Sequence, residues 1–174
     1  IFTKLLTGTD EENITHIAFI NRKTPETSSW TYAHELGRLY LKDAFHGSVQ
    51  TKAYDNISGT DNAIAAIEQA IADGNEMIFT TSPEFLSASL RAAVDHPEVK
   101  ILNCSLNASH KYIRTYYGRM YEAKFLIGVL AGVMTDTDKI GYIADYPIYG
   151  MTANINAFAL GVKMVNPKAK VYLE

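Results

Sequence analysis

The chain has 174 residues, 47% of them hydrophobic and 20% charged, and carries a net charge of −3. That balance describes a folded globular chain and not a disordered or collagen-like one, and it lacks the basic face that a nucleic-acid partner would require. A single cysteine, Cys104, excludes an intrachain disulfide framework and a Cys-rich zinc site, and its place in an apolar run makes it a small buried hydrophobe.

Ile1–Asn13 opens with a short apolar start and Gly8-Thr-Asp-Glu-Glu12, and residues 1–15 read as a linker or the tail of an upstream region. His16–Ile20 is a compact apolar run and predicts the first buried strand. A polar loop, Asn21–Ser29, ends in a Ser pair able to cap a helix, and Trp30–Phe45 follows with Ala33, Leu36, Leu39 or Tyr40, and Ala44 at helical spacing. Val49–Tyr54 alternates as a second strand. After Gly59-Thr-Asp-Asn62, Ile64, Ile67 and Ile71 mark an amphipathic helix that Gly74 stops.

Glu76–Thr80 predicts a third strand. Ser82-Pro83-Glu84 then starts a helix running through Leu86, Leu90 and Val94 to a stop before Pro97, because Ser caps and Pro fits the first turn. Val99–Cys104 and Lys111–Tyr117 are the fourth and fifth strands. From Met120 the period changes: Phe125, Leu126, Val129, Leu130 and Val133 fall at helical spacing, while Gly128 and Ala131-Gly132 make one side thin. The apolar run Phe125–Met134 is too short to span a bilayer, so Gly128-x-x-x-Gly132 reads as a close-packing face. Lys139–Asp145 is a further strand, Ala153–Val165 a helix stopped by Asn166-Pro167, and Val171–Glu174 another strand.

Strands alternating with helices indicate βαβ units, hence an α/β fold built on a doubly wound parallel sheet. The change of period places residues 16–118 in a first lobe and 119–174 at the start of a second. Ending on a strand after one further βα repeat is the pattern expected of an excerpt from a longer protein.

No motif announces catalysis: G-x-G-x-x-G, G-x-x-x-x-G-K-[ST], G-x-S-x-G and H-E-x-x-H are all missing. The five histidines, at 16, 34, 46, 96 and 110, have no second ligand at metal spacing, and Asp136 and Asp138 lack the further oxygens of a calcium loop, so neither metal nor cofactor is expected. His34-Glu35 reads as a solvated helix face. The Asn-x-Ser/Thr sequons at Asn13, Asn56, Asn103 and Asn107 are near chance and carry no weight.

Architecture points to binding instead. In open parallel sheets ligands sit beyond the carboxyl ends of the strands, where helix N-termini present N–H groups. The first strand leads to Ser28, Ser29 and Trp30, and the third to Thr81, Ser82 and Phe85. The fourth and fifth lead to Asn103 and Tyr117, with Glu122 on the helix that follows. An indole beside hydroxyls and amides suits a flat polar ring; the alternative for Trp30 is packing on its own loop, and for Ser82 pure N-capping.

Several segments resemble a known family. They are Ser29–Arg38 (Ser-Trp-Thr-Tyr-Ala-His-Glu-Leu-Gly-Arg), Ile78–Ser82, Tyr117–Gly128, Ile140–Ile143 and Ile155–Gly161 with Asn166-Pro167. Collinear from about His16 onward, they are similar to the basic membrane protein family, substrate-binding proteins of ABC transporters related to purine-nucleoside receptor lipoproteins. The resemblance implies the type I periplasmic-binding-protein fold, with two α/β lobes closing on a ligand, the first lobe complete here and the second only begun. It implies a purine base or nucleoside as ligand, an ABC permease as partner, no chemistry, and an extracytoplasmic place at the plasma membrane. Departures from the family pattern occur at Thr27-Ser28-Ser29, where many members carry an acidic residue and glycines, and at Pro147-Ile-Tyr-Gly150. Two rivals remain: a ligand-sensing regulatory domain of the same fold, in a cytoplasmic multidomain protein, and an enzyme of the doubly wound class. Apolar surface where the rest of a second lobe would sit is where a homodimer of the chain would form.

Overall fold

The structure, a computed structural model, describes residues 14–105, 111–144 and 150–174. The opening segment 1–13, the sequons at Asn13 and Asn107, His110, and the loop at Pro147 lie outside the described residues. The chain divides into two compact units, Ile1–Tyr116 and Tyr117–Glu174.

The first unit is a five-stranded parallel sheet. Its strands are β1 (Thr15–Ile20), β2 (Val49–Tyr54), β3 (Met77–Thr80), β4 (Lys100–Cys104) and β5 (Ile113–Tyr116), in the order β2-β1-β3-β4-β5. Between them run α1 (Ser29–Ala44), α2 (Thr60–Ala72), a 3-10 turn (Pro83–Phe85) and α3 (Leu86–Asp95). In β1 the apolar residues alternate between the two faces. Ala18 and Ile20 join Ile78, Ile101 and Ile113 under α2, the 3-10 turn and α3, which contribute Ala63, Ala66, Ile67, Ala70, Phe85, Ala88, Ala92 and Ala93. Ile17 and Phe19 face the other way, with Val49 and the half-buried Leu41 and Phe45, the last two carried by α1 and its C-terminal cap. A strand covered on both faces has no polar side, so its sequence reads as a continuous apolar run. Each fully buried Ile contributes about 2 kcal/mol.

The polarity of the connections decides where a site can form. From β1 the chain moves outward to β2, then crosses back to β3 and proceeds through β4 to β5. The order therefore reverses between β1 and β3, and their carboxyl ends flank the crevice that such a reversal opens.

The second unit comprises α4 (Met120–Met134), β6 (Lys139–Tyr142), α5 (Met151–Val165) and β7 (Lys170–Leu173), with β6 and β7 parallel. Tyr142, Phe158 and Val162 form its core, and the Tyr142 and Phe158 rings meet edge to face at 4.9 Å. The two helices touch through glycine. A Cβ on Gly128 would stand 2.1 Å from the Phe158 carbonyl oxygen, and one on Gly161 2.1 Å from that of Phe125. Gly128 and Gly132 are the buried residues of α4, whereas Leu126, Leu130 and Val133 are exposed among the described residues. The glycine side read from the sequence as a close-packing face makes the contact, because only there can two backbones approach so closely, while the larger apolar residues at helical spacing lie off it.

Elsewhere the sequence expectations shift by a few residues for physical reasons. The helix predicted from Ser82-Pro83-Glu84 opens with a 3-10 turn, in which Phe85 N–H donates to the Ser82 carbonyl at 3.1 Å. β5 is shorter than its alternation suggested, since this edge strand pairs with β4 only from Ile101↔Ile113 to Cys104↔Tyr116. α5 begins two residues early, after Gly150 at φ 89°, a conformation that favours glycine. Among the described residues no helix is long and apolar enough to cross a membrane.

Candidate ligand-binding site

The site is built at the carboxyl ends of β1 and β3. Leaving β1, the chain enters Asn21, which is buried, and its backbone is held on both sides: Asn21 N–H donates to the Tyr54 carbonyl at 2.8 Å, and its carbonyl accepts from Ile57 N–H at 3.0 Å. Its side chain joins three strand ends. The Asn21 amide donates to Asp55 Oδ1 at 2.8 Å, while Thr81, the first residue after β3, places its hydroxyl 2.9 Å from Asn21 Oδ1 and 3.0 Å from the Ile20 carbonyl, both acceptors. Buried polar groups paired in this way make a rigid rim, since breaking any one bond would leave a desolvated partner.

Trp30 is docked onto that rim. Ser28 caps α1, its hydroxyl accepting from Thr31 N–H at 3.3 Å, which fixes where the first turn begins. Ser29, the first helical residue, is exposed, and Trp30 follows it. The indole Nε1–H donates to the Thr81 carbonyl at 2.7 Å, and 38% of Trp30 remains exposed. One turn later, His34 Nδ1 lies 3.0 Å from the Trp30 carbonyl and its ring lies 5.3 Å from the indole. The pair His34-Glu35 is not a plain solvated face. Glu35 takes a bidentate pair from Arg38 at 2.6 and 2.7 Å, Arg38 reaches Thr51 Oγ1 at 2.6 Å, and the Glu35 carboxyl is held below its ordinary range by that guanidinium.

A second polar chain runs under β3 and β4. Ser89 Oγ–H donates to the Phe85 carbonyl at 2.7 Å, so its oxygen is left to accept from Thr80 Oγ1–H at 2.8 Å. Thr80 Oγ1 in turn accepts from the Asn103 amide at 2.8 Å, and the same amide donates to the Ser82 carbonyl at 2.9 Å. The donor order is thereby fixed from Asn103 to Phe85, because each hydroxyl has one proton to give. Asn103 is fully buried, and its Oδ1 has no hydrogen-bond partner. Burial pushes the neighbouring Cys104 thiol up to about 11 and the Tyr116 phenol well above its ordinary value, so both stay neutral.

The expected site residues separate accordingly. Ser28, Trp30, Thr81 and Ser82 gather at the β1 and β3 ends, although Ser82 spends its hydroxyl accepting from Glu84 N–H at 3.3 Å, and Thr81 works through its carbonyl. Phe85 is fully buried with Ile78 and Ala88 in the core, because the 3-10 turn points it inward. Tyr117 and Glu122 belong to the second unit, where Tyr117 is half-buried and exposed Glu122 pairs with Arg119 at 3.2 Å. Asn21 and Asp55, which organise the rim, escaped the sequence reading. Their position one residue beyond β1 and β2 was the available signal.

Solved structures share this fold. A solute-binding protein of an ABC transporter system from Aeropyrum pernix superposes with a TM-score of 0.70 at 16% identity, covering 91% of this chain and 46% of that one. A sugar transporter from Clostridium phytofermentans gives 0.64 at 14% identity, covering 91% and 60%. Residues 14–174 match the family described as ABC transporter substrate-binding protein, PnrA-like, and the chain belongs to it. A purine-binding protein of Brucella abortus is 30% identical over 155 residues, 89% of this chain and 44% of that protein. The chain thus spans less than half the length of that relative.

Proposed function

We propose that the protein binds a purine base or nucleoside for an ABC-type importer and performs no chemistry on it. One observation carries the reading: Trp30 is pinned by its N–H to the Thr81 carbonyl, which fixes a flat apolar ring at the strand end with 38% of its surface exposed. A purine stacks on such a ring, and a rigid platform orders little on binding. Around it, Ser28, Ser29 and Ser82 bring hydroxyl groups to the same strand ends, and Asn103 Oδ1 is a buried acceptor lacking a donor. Tyr117 and Glu122 are proposed as ligand contacts from the second unit.

The purine-binding relative supports the ligand class, while the sugar-transporter likeness bears on the fold alone. A permease partner and an extracytoplasmic, membrane-associated setting are proposed from the family. The two units correspond, in this reading, to the body of a first lobe and the beginning of a second. No observation favours the regulatory alternative.

The test is a calorimetric panel of adenine, adenosine, inosine, guanosine, glucose, glycerol and glutamate. Saturable heat with at least one purine and none with the others supports the assignment. Saturable heat confined to glucose, glycerol or glutamate sinks it.

A further inference from the structure

α1 turns an unusual side to the sheet. Thr31 is buried there, and His34, Glu35, Arg38 and Leu41 are half-buried. The charged members of that row are already paired, Glu35 with Arg38, which also reaches Thr51. The opposite side of the helix is apolar. Tyr32, Leu36, Leu39 and Tyr40 are 53%, 50%, 47% and 74% exposed, and the small residues Ala33 and Gly37 are exposed beside them. Steps of three, four and seven residues gather these positions into one stripe, within which Asp43 is the charged residue. A contiguous apolar stripe of this kind marks a contact surface, unlike single apolar residues scattered over a surface.

We propose that this stripe is a self-association surface: two copies of the chain pair through α1, antiparallel about a two-fold axis passing between Leu36 and Gly37. Shape selects a second copy as the occupant. In that register Tyr40 of each copy lies over Ala33 of the other, and Leu36 over Gly37, so a large side chain meets a small one at each level. Gly37 has nothing within 4 Å of where a Cβ would stand, which leaves room for the incoming leucine. Charge selects the same arrangement. α1 has no acidic residue in its own first turn, and the antiparallel register carries Asp43 of the other copy to that turn, where a carboxylate is favoured. The contact is isologous, so it closes at two copies. A bilayer surface is a poorer fit, because the basic flank such a helix uses is reduced to Lys42 once Arg38 is held by Glu35 and Thr51. The surface does not depend on what the strand-end site binds.

Sedimentation velocity of the full chain across the micromolar range tests the pairing. Wild type is expected to show a concentration-dependent monomer–dimer equilibrium. Leu36→Glu and Tyr40→Glu each set a charge in the stripe and should raise the dissociation constant at least about tenfold. Far-UV circular dichroism of both should match wild type, since both positions are exposed. Leu130→Glu, at an exposed apolar position on α4, should leave the constant within about twofold of wild type. Wild-type protein that stays monomeric throughout overturns the proposal, as does a dimer lost in Leu130→Glu and kept in Leu36→Glu. A chain that stays monomeric but sediments with phosphatidylglycerol vesicles, and loses them in Leu36→Glu, overturns it in favour of a bilayer.

Cysteine cross-linking tests the register. Mixed Ala33→Cys and Tyr40→Cys chains should form a disulfide-linked dimer under mild oxidation. Either variant alone should not, because equal positions of an antiparallel pair stand about 10 Å apart along the axis, beyond disulfide reach. Cross-linking of Ala33→Cys with itself, and none in the mixture beyond that, would mean parallel helices and overturn the arrangement.

Discussion

The indole N–H of Trp30 donates to the carbonyl oxygen of Thr81 at 2.7 Å, tying the first turn of α1 to the end of β3. These residues are 51 positions apart in sequence, and the bond makes a helix N-terminus and a strand terminus one rigid body. Trp30→Phe keeps a ring but leaves that carbonyl unpaired. It should destabilise the protein by about 1 kcal/mol in urea unfolding while retaining ligand within a few-fold. Trp30→Ala, which removes the ring, should abolish detectable purine binding.

Glycine contacts between α4 and α5 predict a sharp contrast. Gly161→Ala would drive a Cβ to within 2.1 Å of the Phe125 carbonyl oxygen, and neither helix backbone can yield cheaply. A loss of about 3 kcal/mol is expected for it and for Gly128→Ala. Gly37→Ala, in α1 with nothing within 4 Å, should instead stabilise by about 0.5–1 kcal/mol through helix propensity. Thermal unfolding of the three variants decides the point.

Acid sensitivity has a specific source at the β2 edge. Asp73 accepts from Lys52 Nζ, from the Tyr54 hydroxyl at 2.6 Å and from Gln69 Nε2 at 2.7 Å, and these donors lower its carboxyl to about 2. A folded value below the unfolded one means that the stabilisation is complete above about pH 4 and is lost as pH falls toward 2. Asp73→Asn should flatten the stability profile in that window and leave it unchanged near neutrality relative to its own plateau. Unfolding midpoints measured from pH 2 to 6 test this.

Asn103 shows the cost of reversing a donor. Its amide gives protons to Thr80 Oγ1 and the Ser82 carbonyl, so Asn103→Asp would set a carboxylate against two acceptors in a site with no exposure. It should cost about 3 kcal/mol or more, and more than Asn103→Ala, which only deletes the bonds. Chemical denaturation of the two variants gives the order.

Most of the architecture was readable because burial imposes periods. Val49–Tyr54 and Met120–Met134 emerge with the bounds their patterns suggest, since alternation and helical spacing are direct consequences of which face is covered. The site was less readable. Asn21 and Asp55 are single polar residues after strands and carry no period, so only the pairing of β1 with β2 and β3 reveals that they meet. Phe85 was placed at the cleft by its nearness in sequence to Ser82, but a 3-10 turn rotates successive residues by about 120° and takes it into the core. His34-Glu35 looked solvated because neither residue type shows its partner in sequence; Arg38, Thr51 and Tyr116 supply that environment from three separate elements.

The most direct measurement is a titration of Trp30 fluorescence with adenosine and, separately, with glucose. Stacking on the indole predicts saturable quenching by adenosine that glucose does not reproduce and that prior saturation with adenine competes away. Saturable quenching by glucose, with adenosine producing only the linear loss of a collisional or absorbing additive, would contradict the account.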